Sequence, residues 1–213
     1  MRTNDLVLML ATSAAAVEPN VAARRYATAM TLGAAGAMLL MVMLLGVRTD
    51  LAQAISLPKF WIKFGFVACM AAASLLLALR LSRPGRQLNQ APNLLAAPVL
   101  AIWILAAVAL VNATPLQRVS LFLGDTWAVC PFLIAMLSAP VFGSTIWAMR
   151  GLAPTRLRLA GASAGLLAGT TGALVYCIHC PEMAAPFLGF WYLLGMLIPT
   201  AAGALSGPRL LRW

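Results

Sequence analysis

Charged side chains are scarce in this chain. Lys, Arg, Asp and Glu together make up 9% of the 213 residues, whereas 62% are hydrophobic. Soluble domains average about 25% charged and about 45–50% apolar residues. Acidic residues are rarer still, with five in total, and there is one histidine. This composition excludes an ordinary water-soluble domain.

Residues typical of catalysis and active transport are missing too. No long apolar stretch carries a central Asp, Glu or Arg, the groups that pumps and transporters of charged substrates use for relay or binding. The sequence has no glycine-rich phosphate loop, and His179 has no paired carboxylate with which to build a triad. We therefore expect neither an enzyme nor an active transporter, and no cofactor.

The apolar residues fall into six stretches that are long enough to cross a bilayer. A hydrocarbon core about 30 Å thick takes about 20 helical residues, and strands of a β-barrel would alternate polar and apolar residues instead. We predict an all-α polytopic membrane protein, a bundle of six transmembrane helices. The predicted spans are 26–47, 60–81, 94–111, 127–149, 159–177 and 184–205.

The cations indicate the orientation. Lys and Arg accumulate in cytoplasmic loops, and with the N-terminus inside, eleven of the fifteen cations fall in cytoplasmic segments. We predict an N-in, C-in topology. The net charge of +10 is interpreted as this loop asymmetry, because nucleic-acid binders cluster their basic residues on a folded polar surface. The four cations on the predicted outer side are Arg48, Lys59, Lys63 and Arg118.

The predicted layout is a single membrane domain over 1–213. It has a short cytoplasmic segment over 1–25, the bundle over 26–206 and a cytoplasmic tail over 207–213. Residues 6–16 are apolar and end in small residues, which also fits the core of a cleaved signal peptide. Asp5 directly before this stretch favours a short cytoplasmic helix, capped by Thr3 or Asn4 and ended near Pro19.

Two further features lie inside the predicted spans. Lys63 lies about one turn inside the second span, where we expect its long side chain to snorkel outward to water. The fifth span contains Gly161, Gly165 and Gly169 at intervals of four. Such a small-residue stripe allows close helix approach in lipid, and we expect it to pack within the bundle rather than between two copies of the chain.

Three of the four cysteines lie at the predicted outer boundary. Cys130 is part of Trp-Ala-Val-Cys-Pro, and Cys177 and Cys180 are part of Cys-Ile-His-Cys-Pro-Glu. Cys69 lies near the middle of the second span, where a thiol in hydrocarbon is expected to be inert. Disulfides form and persist on the oxidising side of a membrane, so redox chemistry is open to the other three.

Several chemistries fit these thiols. One is a plain structural disulfide between the fourth and fifth spans, and another is a reactive sensor pair whose thiol pKa is lowered by His179. Cys130, His179 and Cys180 also suit zinc or cadmium. The enzymatic alternative is a thiol-disulfide oxidoreductase that passes electrons from Cys177 and Cys180 to quinone. Haem attachment is excluded because Pro181 rather than His follows Cys180.

At these residues the chain resembles the NrsF-type family of bacterial inner-membrane anti-sigma factors. These are six-span proteins that restrain sigma factors of the extracytoplasmic-function class. The resemblance runs along nearly the whole length. It is carried by Thr3-Asn4-Asp5-Leu6, Phe60-Trp61-Ile62-Lys63, Arg83-Pro84-Gly85, Trp127 through Pro131, Leu152-Ala153-Pro154-Thr155-Arg156, His179-Cys180-Pro181-Glu182, Trp191-Tyr192 and Gly207-Pro208-Arg209-Leu210-Leu211-Arg212-Trp213.

The resemblance implies a multi-pass inner-membrane anti-sigma factor. It would sequester a cytoplasmic extracytoplasmic-function sigma factor and release it when periplasmic cysteines sense heavy-metal or oxidative stress, without contacting nucleic acid directly. The family's two cysteines correspond to Cys130 in Trp-x-x-Cys-Pro and Cys180 in His-Cys-Pro-Glu, and Cys177 falls outside that pattern. For the sigma factor we expect a surface made of the 5–17 segment and two basic loops, with Asp5, Leu6, Leu10, Arg83 and Arg150 as binding residues.

Overall fold

Six long helices form the core of the protein. The structure, a computed structural model, describes residues 3–13, 20–83, 85 and 90–212. Within these ranges six helices are long and apolar enough to cross a bilayer, which confirms the predicted all-α, six-span architecture. The first to sixth spans are Val21–Leu44, Pro58–Leu81, Pro92–Val111, Cys130–Arg150, Leu157–Tyr176 and Ala185–Leu210.

In the part of the chain that the structure describes, three shorter helices accompany the spans. Thr3–Ser13 is helical, as predicted for the N-terminal segment, whereas its predicted end near Pro19 lies outside the described residues. The helices Leu51–Ile55 and Pro115–Leu123 were not predicted. The second of these starts with a capping box, because the Gln117 side chain accepts the Thr114 N–H at 3.1 Å. Such a box satisfies backbone donors that a helix start leaves open.

The fifth span lies at the centre of the bundle. In the fifth span 78% of the apolar stretch is buried inside the protein, whereas in the third span the buried share is 6%. A Cβ added to Gly161 would lie 2.8 Å from the Gly207 Cα, and one added to Gly165 would lie 2.8 Å from the Thr200 Cα. The glycine stripe therefore brings the backbones of the fifth and sixth spans into contact, and packing within the bundle is confirmed.

The two ends of the bundle are held by different contacts. At one end the Tyr26 and Ser82 hydroxyls lie 2.6 Å apart and join the first span to the second. At the same end Arg150 donates to the Leu210 carbonyl and joins the fourth span to the sixth. We call this the terminal end, because the start of the first span and the end of the sixth lie there. The opposite end, formed by 45–57, 112–129 and 177–184, is the cysteine end.

Candidate functional site

Two Cys-Pro steps bring Cys130 and Cys180 together at the cysteine end. Cys130 begins the fourth span with Pro131 in its first turn, where the missing N–H costs no helical hydrogen bond. Cys180 closes the turn after the fifth span, since its N–H donates to the Tyr176 carbonyl at 2.9 Å. Pro181 then ends the helical path. The Cys130 and Cys180 thiols lie within hydrogen-bonding distance of each other.

Cys177 completes a buried cluster of three thiols. Cys130, Cys177 and Cys180 are each 0% exposed, and all three are free thiols. Cys69 is exposed on the surface of the second span and does not belong to the buried cluster. The structure thus gathers the three cysteines that the sequence assigned to one boundary. Which pair reacts, and with what signal, stays a prediction.

Lys63 joins this cluster instead of reaching water. Its side chain is 0% exposed, and its Nζ donates to the carbonyls of Cys180 at 2.8 Å and Glu182 at 3.0 Å. The Nζ also lies 5.1 Å from the centre of the Tyr192 ring. The prediction that Lys63 snorkels outward is wrong, because the fold supplies these carbonyls in the interior. We call residues 177–184, which carry them, the cysteine loop.

Glu182 fastens the cysteine loop to the turn before the fourth span. Its Oε1 accepts the Asp125 N–H at 2.8 Å. The carboxylate lies over Gly124, where an added Cβ would meet the Glu182 Cδ at 2.7 Å, and Gly124 has a φ of +57°. The left-handed backbone therefore requires glycine at this position, and an added Cβ would also displace the Glu182 carboxylate. The two segments that carry Cys130 and Cys180 are linked directly.

His179 and Arg48 fasten the same loop to the end of the first span. The His179 Nδ1 lies 2.9 Å from the Gly46 carbonyl oxygen, and the Arg48 Nη1 donates to the Cys180 carbonyl at 3.4 Å. Arg48 also forms a salt bridge of 2.6 Å with Asp50. Hydrogen bonding to Asp50 raises the pKa of Arg48, and the same contact lowers the pKa of the Asp50 carboxyl. The loop is thus held from three sides.

The predicted metal-ligand set is not assembled in this arrangement. Among the described residues no three His, Cys, Asp or Glu side chains converge as metal ligands do. His179 is already engaged with the Gly46 carbonyl through Nδ1. Ligation by Cys130, His179 and Cys180 stays a prediction, in which the Nε2 of His179 would be the ligand, since a metal-bound histidine commonly donates its other ring N–H to a carbonyl.

The surroundings shift the pKa values of Cys177 and Cys180, the two thiols of the cysteine loop, in opposite directions. The hydrogen bond from the Cys130 thiol lowers the pKa of Cys180, and the charge of Lys63 lowers it further, against the effect of burial. Burial raises the pKa of Cys177 to about 11, although the charge of Lys63 opposes this rise. Because the thiolate is the nucleophile, Cys180 is the better nucleophile of the two.

Tyr192 closes the cluster from the sixth span. It ends a π-helical turn, Leu188–Tyr192, a distortion that is frequent at functional sites. Its hydroxyl lies beside the Cys177 and Cys180 thiols, and no nitrogen or oxygen within the described ranges bonds to it. Sequence reasoning missed both Lys63 and Tyr192, although Phe60-Trp61-Ile62-Lys63 and Trp191-Tyr192 stood among the motifs of the family resemblance.

The residues predicted to bind a partner lie on exposed surface where the structure describes them. Asp5 is exposed on the Thr3–Ser13 helix, and Arg83 and Arg150 are exposed at the terminal end. Arg150 also donates to the Leu210 carbonyl, so part of its guanidinium serves the bundle. The side chains of Leu6 and Leu10 lie outside the described residues.

Comparison with known proteins identifies the family. A family model described as "NrsF: Negative regulator of sigma F" matches residues 10–213. The "Probable anti-sigma-F factor NrsF" of Azospira oryzae is 60% identical over 213 residues, and the "Anti-sigma-F factor NrsF" of Caulobacter vibrioides is 37% identical over 215 residues, each alignment covering 100% of both chains. No solved structure matches. The chain therefore belongs to the NrsF family, whose members are regulatory proteins and not enzymes.

Proposed function

We propose that this chain is an inner-membrane anti-sigma factor that binds a sigma factor of the extracytoplasmic-function class at its terminal end. Cys130 and Cys180 at the opposite, periplasmic end sense oxidants or thiophilic metal ions and cause release. Family membership supports the anti-sigma role. The observation that carries the sensing role is the contact between the Cys130 and Cys180 thiols.

The proposed orientation places the terminal end in the cytoplasm. Eleven of the fifteen cations belong to segments on that side, as the positive-inside rule requires. The opposite end then faces an oxidising compartment, in which a disulfide persists. The quinone-linked oxidoreductase is set aside, because the family is regulatory.

The terminal end offers a composite surface for the sigma factor. The segment before the first span contains a helix of 11 residues, Thr3–Ser13, which is by itself far smaller than a folded domain of about 50 residues or more. Its helix exposes Val7 and Met9, at 58% and 65%, beside the exposed carboxylate of Asp5. Apolar side chains of this kind become buried when a short segment orders on a partner. The arginines at 83 and 150 are also exposed, at the terminal end, and the proposed surface includes them.

Oxidation changes the distance and orientation between the start of the fourth span and the cysteine loop. Cys130 and Cys180 lose two protons and two electrons to the oxidant and form one S–S bond. That bond requires a sulfur separation of about 2.05 Å and a restricted dihedral angle, so the start of the fourth span and the cysteine loop must shift. Release follows only if the shifted state binds sigma more weakly, by about 1.4 kcal/mol for each tenfold loss of retention.

The sensing role is tested with cysteine variants in cells. In Cys130→Ser, Cys180→Ser and the double variant, we expect transcription from a sigma-dependent promoter to stay low after peroxide or cadmium treatment. Cys69→Ser is the matched control, since that thiol is exposed on the second span, and it should respond as the wild type does. Normal induction in the double variant would remove Cys130 and Cys180 from the mechanism.

The docking role is tested by co-purification from detergent extract, with mass identification of the bound protein. Deletion of residues 3–13 should abolish capture of the sigma factor and leave membrane insertion intact. Arg118→Gln at the cysteine end is the control, and this variant should still capture the sigma factor. If the deletion variant still captures sigma, the loops around Arg83 and Arg150 form the site instead.

A further inference from the structure

We propose that Lys63 is a positioning residue that holds the cysteine loop so that Cys180 faces Cys130, and thereby determines how fast the two thiols join. This inference deepens the proposed sensing function and rests on it. It assigns to Lys63 a role in the reaction between the thiols, beyond the packing of the second span.

The contacts of Lys63 act on both sides of Pro181. Its Nζ donates to the carbonyl of Cys180 at 2.8 Å and to the carbonyl of Glu182 at 3.0 Å. The ring of Pro181 fixes its own φ and leaves it without an N–H, so the carbonyls on either side of it are the groups through which Lys63 holds this part of the backbone. With both flanking carbonyls held, the direction in which the Cys180 side chain leaves the loop is set.

Among the described residues no carboxylate pairs with the charge of Lys63. Within the described ranges the salt bridge found is Arg48–Asp50, and the Glu182 carboxylate is turned to the Asp125 N–H. A buried ammonium without a carboxylate is costly, and methionine would fill similar volume without that cost. The groups that stabilise the Lys63 ammonium are the two carbonyls and the Tyr192 ring, whose centre is 5.1 Å away.

The second span makes Lys63 a firm anchor. Phe60, Phe66 and Val67 on the same helix are buried in the bundle, so the helix cannot follow a loop that moves. Arg48 also reaches the Cys180 carbonyl, but at 3.4 Å. The hydrogen bonds from Lys63 are shorter and involve two carbonyls, so removing them should free the loop more than any change at Arg48.

The test measures disulfide formation in the purified full chain, in a Cys69→Ser, Cys177→Ser background. Diamide is the oxidant: its N=N bond takes up two electrons and two protons, giving a hydrazine, while Cys130 and Cys180 become one disulfide. We expect Lys63→Met to slow this reaction about tenfold, the effect of losing charge-assisted hydrogen bonds. Lys59→Met is the matched control, since Lys59 is exposed one turn earlier on the same helix, and should react at the wild-type rate.

A second readout separates positioning from general loss of structure. In Lys63→Met the freed loop should expose Cys180, so alkylation of reduced protein by N-ethylmaleimide, compared at its high-pH plateau where the lost charge of Lys63 no longer affects the thiolate fraction, should become faster while disulfide formation becomes slower. Lys63→Arg keeps donors at this position and should restore part of the disulfide rate. Lys63→Gln keeps an amide donor that is too short to bridge both carbonyls, so this variant should behave like Lys63→Met. It replaces Lys63→Met in the test if the methionine variant does not fold.

Opposite changes in the two rates support the proposal. A disulfide rate within about twofold of the wild type in Lys63→Met or Lys63→Gln overturns it. Two rates that change in the same direction also overturn it, because a joint rise indicates a loosened fold and a joint fall indicates an effect of the Lys63 charge on the thiolate alone. Both rates are measured without sigma. Failure of the cysteine variants to block release in cells would therefore refute the sensing function and leave the result on Lys63 standing.

Discussion

Replacing Gly165 by alanine should separate the fifth and sixth spans. The added Cβ would lie 2.6 Å from the Pro199 carbonyl carbon and 2.8 Å from the Thr200 Cα, and the Pro199 oxygen is closer still. Ordinary contact for a Cβ begins at 3.4 Å, so restoring it at the carbonyl carbon requires a shift of 0.8 Å, the difference between 3.4 and 2.6 Å. The atoms in the way are backbone atoms, which cannot rotate aside.

The expected cost follows from two opposing effects. Overpacking of a well-packed interior costs about 1–3 kcal/mol. Alanine is better than glycine in a helix by about 0.5–1 kcal/mol. Because a backbone obstacle puts the first effect at the upper end of its range, we expect the free energy of unfolding to fall by about 2 kcal/mol.

The measurement is unfolding in mixed micelles, followed by tryptophan fluorescence. Gly65→Ala and Gly143→Ala are the controls, because nothing lies within 4 Å of a Cβ added at either position. Both should be neutral or stabilising by up to about 1 kcal/mol. If Gly165→Ala is as stable as these controls, the fifth and sixth spans do not touch as described.

Two further outcomes are expected. Tyr26→Phe removes the hydrogen bond of 2.6 Å to Ser82 and should lower the free energy of unfolding by about 0.5–1.5 kcal/mol in the same assay, whereas an unchanged value would show that the bond contributes nothing. Site-resolved alkylation by iodoacetamide should reach its plateau at lower pH for Cys180, whose pKa is lowered, than for Cys177, whose pKa is raised to about 11. The main cause of the lowered pKa of Cys180 is the hydrogen bond from Cys130. Cys130→Ala removes this bond, so the alkylation plateau of Cys180 should move to higher pH, and an unmoved plateau would contradict the assigned cause.

Hydropathy located the spans well and their ends less well. The third span was predicted over 94–111 and is Pro92–Val111, and the sixth was predicted over 184–205 and is Ala185–Leu210. The first was predicted over 26–47 and is Val21–Leu44. Hydropathy finds the apolar stretch, whereas a helix continues through polar residues such as Arg24 and Arg25 at its end. The short helix Pro115–Leu123 had a readable signal in Thr114-Pro115 and Gln117, which the search for spans passed over.

The site was predictable in its thiols and not in its surroundings. Cysteines followed by proline at one boundary can be read from the sequence, and the structure brings them together. Lys63 binds carbonyl oxygens 117 and 119 residues away, and backbone oxygens leave no trace in a sequence. A lysine near a span end usually reaches water, so the general rule gave the wrong result at Lys63, where the fold supplies interior acceptors.

The central position of the fifth span has a consequence for how the protein is made. Its mean hydropathy is 1.3, against 2.7 for the third span, because glycine, alanine, serine and threonine replace the larger apolar residues that favour insertion. The composition that lets the other spans pack closely around this helix makes it the weakest candidate to enter lipid alone. Its insertion is therefore expected to depend on helices synthesised immediately before or after it, so the order of synthesis becomes part of how the bundle is assembled.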